Sequence, residues 1–214
     1  MPDPFRTARC TVHRRATIRA ESPRTAPPVT SSPLPATAAT LYTIGHSTRP
    51  ADAFVALLRA HGIRHLVDVR TIPRSRHNPQ YNSDALAATL AAAGIGYTHM
   101  KGLGGLRKPK PDSINAGWRN DSFRGYADYM QTPEFAAALD DLLAIGAEQP
   151  TAIMCAEAVP WRCHRSLVAD ALFARGVEAD EIVSETRATP HKLTSFARVD
   201  GTRVTYPPEG GSLF

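Results

Sequence analysis

Cysteine is scarce in this 214-residue chain, and the scarcity narrows its class. Three cysteines (Cys10, Cys155 and Cys163) are too few to staple a small secreted scaffold. No apolar run approaches the roughly 18 residues that a membrane span requires, which excludes a helical membrane protein. The N-terminus carries arginines but no apolar h-region, so nothing points to secretion and reduced thiols in a cytoplasm are expected. Internal repeats are absent too, which excludes a solenoid or propeller.

What is present fits one ordinary globular domain. Apolar residues make up 43% of the chain, close to the usual share for a soluble protein. The length allows one domain with a real core, and two would be a squeeze. Residues 1–40 hold seven of the eighteen prolines and lack the apolar periodicity that would offset ordering entropy, so they read as a disordered Arg/Pro-rich extension. Arg-rich and acid-poor, that extension superficially resembles a transit peptide, but in a chain this rich in Ala and Arg an extension or a start codon set too far upstream explains it better.

The formal net charge of +5 invites a nucleic-acid reading, but residues 1–40 carry six arginines against only Asp3 and Glu21. That segment therefore holds an excess of four, and the remaining chain an excess of one. So small a surplus argues against the large phosphate footprint of non-specific nucleic-acid binding. Residues 64–124 nevertheless hold ten Lys/Arg against four Asp, which can bind a phosphate or carboxylate or simply form a solvated face.

From Leu41 onward, strand and helix signals alternate. LYTIG (41–45) reads as a strand, Ser47 or Thr48 as a cap, and PADAFVALLRAHG (50–62) as a helix. IRHLVDV (63–69) is the second strand; Ser83 is expected to cap the helix ending at Gly94, and IGYTHM (95–100) is the third strand. Helices follow at 122–130 and 133–145, the latter with Thr132 as cap, Pro133 at its first position and Gly146 as its stop. TAIMC (151–155), a helix from Cys163 to Gly176 and EADEIVS (178–184) complete the series, and RVTYP (203–207) reads as an edge strand. The pattern predicts an α/β fold: a single domain with a mainly parallel sheet of about five strands and helices on both faces. The domain spans 41–190, and 191–214 form an edge segment and tail.

Polar residues of unusual type gather where strands pass into helices, the edge at which open α/β sheets bind ligands. His46 and Ser47 follow the first strand, and Asp68, Arg70 and Arg74 follow the second. His99, Lys101 and the glycines at 102, 104 and 105 follow the third, although such glycines mark plain turns as often as phosphate cradles. Cys155 and Glu157 follow the fourth strand, and Cys163, His164 and Arg165 open the next helix. A thiol at a helix N-terminus is stabilised as thiolate; Glu157 and His164 suit acid–base roles; and His46, Ser47, Asp68, Arg70, Arg74 and Arg165 are candidates for holding or orienting an anionic ligand. Alternatively Cys155, Cys163 and His164 are metal ligands, of types that suit zinc or iron. The bland reading is that Cys155 is a small buried hydrophobe and Cys163 and His164 merely cap a helix.

TIGHS (43–47), LVDVR (66–70) with PRSRHNPQYN after it, Tyr97, LGGLR (103–107), YADYM (126–130) and MCAE-x3-W-x-CHRS (154–166) together resemble the DUF488 family, a domain of unknown function, over residues 41 to about 190. The resemblance implies an α/β fold with these residues as its characteristic ones. A looser likeness to rhodanese and cysteine-phosphatase architecture fails on the loop from Cys155 to Arg165, which is too long for a C-x5-R cradle and contains an acid. The expectation is a cytoplasmic enzyme acting by thiol or metal chemistry on a small anionic or nucleotide-like ligand. The alternatives are a nucleic-acid-associated protein stacking bases on Tyr81 and Trp118, and a metal- or redox-sensing regulator.

Overall fold

The computed structural model describes residues 41–208; the extension at 1–40, with Cys10, and the last residues of the tail lie outside them. The order of elements is β1 (Leu41–Gly45), α1 (Ala51–Ala60), β2 (His65–Asp68), α2 (Ser83–Ala92), β3 (Gly96–His99), α3 (Asp121–Tyr129), α4 (Pro133–Glu148), β4 (Thr151–Cys155), α5 (Arg165–Phe173), β5 (Ala179–Ser184) and β6 (Arg187–Pro190), then a hairpin of β7 (Arg198–Asp200) and β8 (Arg203–Thr205). The sheet runs β3-β2-β4-β1-β5-β6, parallel throughout except for the antiparallel edge strand β6. The α/β class is as expected; the sheet gains a sixth strand, because the polar stretch RATP pairs through its backbone and leaves no apolar alternation to read.

Strand periodicity divides the core in two. In β4, Ala152 and Met154 pack with Phe54, Leu58, Leu86 and Leu90 of α1 and α2, while Ile153 and Cys155 pack with α3, α4 and α5. The buried stripe Phe135, Ala138, Leu139 and Leu142 repeats at helical spacing on α4. Each such fully buried Leu or Phe contributes roughly 1.5–3 kcal/mol by leaving water. No helix among the described residues is long and apolar enough to cross a membrane.

Helix boundaries depart from expectation for local reasons. Thr132 caps α4 as expected, its hydroxyl accepting the Phe135 N–H at 3.3 Å, but Gly146 does not end the helix, which continues to Glu148. A Cβ at Gly146 would fall 2.6 Å from Leu41 Cδ2, so glycine serves packing there. Neither Ser47 nor Thr48 caps α1, whose cap position is Pro50. Ser83 is the first residue of α2, not its cap; Asn82 occupies the cap position and turns its side-chain oxygen to the Ser75 N–H at 2.8 Å.

RVTYP is not an edge strand of the main sheet, because β8 pairs with β7 in a separate hairpin. That C-terminal segment is fastened to α5 by Asp170, which is fully buried. Its carboxylate accepts hydrogen bonds from His191 Nε2 (2.7 Å), the Thr194 N–H (3.1 Å) and hydroxyl (2.7 Å), and the Tyr206 hydroxyl (2.8 Å). Asp170→Ala strands these donors in a buried place and is expected to cost about 3 kcal/mol. Tyr206→Phe, which removes one donor and keeps the ring, is expected to cost about 1 kcal/mol. Urea denaturation of the two variants checks both figures, and equal losses would refute the account.

Candidate functional site

The connections reverse direction at β4. Helices α1 and α2 carry the chain from β1 to β2 to β3 along one face of the sheet, whereas α5 carries it from β4 across β1 to β5 along the other. The crevice beyond the carboxyl ends of β1, β2 and β4 is therefore a topological switch point, where ligands bind in open α/β sheets. A cleft of about 700 Å³ opens there, lined by His46 and Ser47 after β1, Arg70, Thr71 and Arg74 after β2, Cys155 at the end of β4 and Glu157 after it, with Arg162, Cys163 and His164 closing it.

The β1–β4 pairing continues past both strands, with the His46 N–H donating to the Cys155 carbonyl and the Ser47 N–H to the Ala156 carbonyl, each at 2.9 Å. Ser47 then turns the chain in the left-handed region, at φ 52°. The loop after β4 lies against Gly45 so closely that a Cβ there would sit 1.9 Å from the Glu157 carbonyl oxygen. Glycine at the end of β1, in the middle of TIGHS, is thus a steric requirement of that loop.

Cys155 and Cys163 are free thiols, both buried. His164 Nδ1 lies 4.0 Å from Cys155 Sγ and 3.7 Å from Cys163 Sγ, and its Nε2–H donates to the Val69 carbonyl at 3.0 Å. Helix α5 accordingly begins at Arg165, two residues later than the sequence suggests, and His164 occupies the cap position without a capping hydrogen bond, because its ring is turned to the sulfurs. Gly105 covers that ring: a Cβ there would fall 2.4 Å from His164 Nδ1. The two thiols differ. The Cys163 thiol is held well below the ordinary range, first by the hydrogen bond from Cys155 and then by His164 and Arg165, against the opposing effect of burial. Cys155, as the donor, is pushed up, and its burial adds to this.

Beside the thiols lies a neutral histidine. His46 Nδ1–H donates to the Ser47 carbonyl at 2.7 Å and its Nε2 accepts from Arg70 Nη1 at 3.3 Å, a tautomer dictated by one partner that only accepts and another that only donates. Its ring stacks on Tyr81 at 3.9 Å. Arg70 is largely occupied internally: Nε and Nη2 donate to the Asp68 carboxylate at 2.9 and 2.6 Å, and Nη2 to the Tyr81 carbonyl at 2.7 Å. Tyr97 donates its hydroxyl to Asp68 at 2.9 Å.

A model of the family described as domain of unknown function DUF488 matches residues 50–172, more than half of the chain. The chain belongs to the DUF488 family. Searches of curated proteins and of solved structures find no match. In this DUF488 chain the matched region includes LVDVR, LGGLR and CHRS, and TIGHS precedes it.

Of the residues singled out in the sequence, His46, Ser47, Arg70, Arg74, Cys155, Glu157, Cys163 and His164 share the cleft. Asp68 does not line it; it lies fully buried beneath, engaged with Arg70. Arg165 is also turned away. Fully buried, it bonds the Glu181 carboxylate at 3.3 Å and the Glu157 carbonyl at 3.0 Å and borders a separate cavity behind the loop. Tyr81 is no stacking platform, since it is fully buried against His46 and Phe54, and Trp118 packs between Phe123 and Phe196. Arg162 was missed. It is exposed at the cleft rim, and only its place between Trp161 and Cys163 in the motif could have flagged it.

Burial holds the His46 pKa down at about 4 against an ordinary 6.5. Between those values the unfolded DUF488 chain takes up a proton that the folded one refuses, so stability falls as pH drops from about 6.5 to about 4. At about 1.4 kcal/mol per pH unit the loss amounts to about 3 kcal/mol. Denaturant midpoints measured across that window should show the slope, and His46→Gln should flatten it; an unchanged slope in the variant would discard the assignment.

Proposed function

We propose that this DUF488 domain is a cytoplasmic enzyme that binds a small anionic ligand in the switch-point cleft and acts on it through Cys155, Cys163 and His164. The observation that carries the reading is the charge at the cleft: Arg74 and Arg162 stand exposed at its rim without a carboxylate partner among the described residues. Against them the lining offers one carboxylate among the described residues, Glu157. Exposed guanidinium groups at the mouth of a concave site favour carboxylate or phosphate and raise its local concentration. A volume of about 700 Å³ falls in the range of small-molecule sites, roughly 300–1,000 Å³, and supports a metabolite-sized ligand over a polymer. Two unpaired buried thiols agree with a reducing compartment.

In this reading the arginines at the rim capture the ligand, and Glu157, exposed beside them, carries the proton. Neutral His46 and its buried support define the wall opposite the sulfurs. Calorimetric titration of the full chain with inorganic phosphate should give a saturable single-site isotherm. Arg74→Ala and Arg162→Ala should each weaken it about three- to tenfold, the equivalent of about 1 kcal/mol for an exposed charge, and added salt should weaken it further. Absence of saturable binding, or binding indifferent to both substitutions, would overturn the anion assignment.

A further inference from the structure

The sulfurs of Cys155 and Cys163 and the Nδ1 of His164 all lie within 4.8 Å of one another. A tetrahedral zinc ion with Zn–S near 2.3 Å and Zn–N near 2.0–2.1 Å holds a sulfur and a nitrogen ligand about 3.6 Å apart, and two sulfurs about 3.8 Å apart. The observed sulfur-to-nitrogen separations of 4.0 and 3.7 Å come within a few tenths of an ångström of that spacing. We propose that Cys155, Cys163 and His164 form a zinc site with an open fourth position facing the cleft. This rests on the reading of the cleft as a reaction site and specifies the chemistry inside it.

Three further features favour metal. A metal-binding histidine fixes its ring by donating its other N–H to a carbonyl or carboxylate, and His164 Nε2–H donates to the Val69 carbonyl at 3.0 Å. This leaves Nδ1 as the nitrogen turned to the sulfurs. The charge also closes, since two thiolates neutralise a divalent cation and so bring no net charge into a buried place. Finally, the ligands sit on stiff elements: Cys155 ends a central strand, and Cys163 and His164 lead directly into α5.

The coordination set points to a reactive ion. Structural zinc sites close all four positions with protein ligands, whereas catalytic ones keep three and leave the fourth to water or substrate. No fourth Cys, His, Asp or Glu joins the cluster among the described residues; both ring nitrogens of His46 are engaged elsewhere. All three ligands line the same cleft as Arg74 and Arg162, so a fourth position left open by the protein faces that shared space. A fourth position of that kind takes water or an anionic oxygen, and a zinc ion there would act as a Lewis acid on the oxygen it binds.

Elemental analysis of the purified full chain, reloaded with zinc and desalted, is the test. The expected result is one zinc per chain, falling at least tenfold in Cys155→Ser, Cys163→Ser and His164→Asn and unchanged in Glu157→Gln. Cobalt exchanged into the wild-type chain should give a thiolate-to-metal charge-transfer band and intense tetrahedral d–d bands, which decides the matter even where a variant fails to fold. Inorganic phosphate should shift those d–d bands. Less than a tenth of a zinc per wild-type chain, or full zinc in both cysteine variants, would overturn the proposal, even if phosphate still binds through Arg74 and Arg162. Zinc bound as expected with no phosphate binding would sink the anion reading and leave the metal site standing. Octahedral cobalt bands, or bands left unmoved by phosphate that calorimetry shows to be bound, would overturn the open tetrahedral apex.

Discussion

A buried ion pair, Asp68–Arg70, holds the functional edge together. Both side chains are almost wholly withdrawn from water, and such a pair is tolerable only when every remaining donor and acceptor is matched. The matching partners come from across the sheet edge: Tyr97 on β3, the Tyr81 carbonyl in the loop after β2, and His46 beyond β1. The Arg70 carbonyl in turn accepts from His99 Nε2 at 2.8 Å. Val69 lies between the paired residues and presents the carbonyl that orients His164. One charge pair thus reaches the thiol cluster through a single peptide unit.

The pair also explains which parts of the site could be read from sequence. TIGHS, LVDVR and CHRS stood out because strand alternation ends abruptly in polar residues, and parallel α/β topology brings such ends to one edge. What could not be read was how each charge is used. Arg70 and Arg165 look like anion binders by residue type, yet one is committed to Asp68 two positions away and the other to Glu181 on a different strand. Residue type reports a capacity for pairing; only the fold reports whether it has been spent. Arg74 and Arg162 are available because no acid reaches them among the described residues, which no motif records.

The glycines show the same limit from the steric side. In sequence Gly45 reads as the end of a strand and Gly105 as a turn or phosphate-cradle residue, but their role is to let a backbone approach closely: Gly45 under the Glu157 carbonyl, Gly105 over the His164 ring. A turn requirement is local and legible, whereas a close approach depends on what the rest of the chain brings near. β6 and β7 carry no sequence signal, and RVTYP reads as a strand without revealing its partner, for a related reason: short polar strands are specified by backbone pairing to a neighbour more than by their own alternation.

The arrangement separates fixed chemistry from adaptable capture. The two sulfurs and the His164 ring are anchored by a five-residue buried strand and the start of a buried helix, so their mutual geometry is set by the core. His46 approaches from the opposite face of the sheet, where it packs on Tyr81, and the pair Asp68–Arg70 fixes its tautomer. Arg74, Glu157 and Arg162, by contrast, are exposed residues of the loops around the cleft, free to adjust to a ligand's charge. Precise reacting geometry belongs on rigid elements and recognition on loops. A domain built this way can change the ligand it accepts by altering two loops while its Cys–Cys–His centre stays where the switch point holds it.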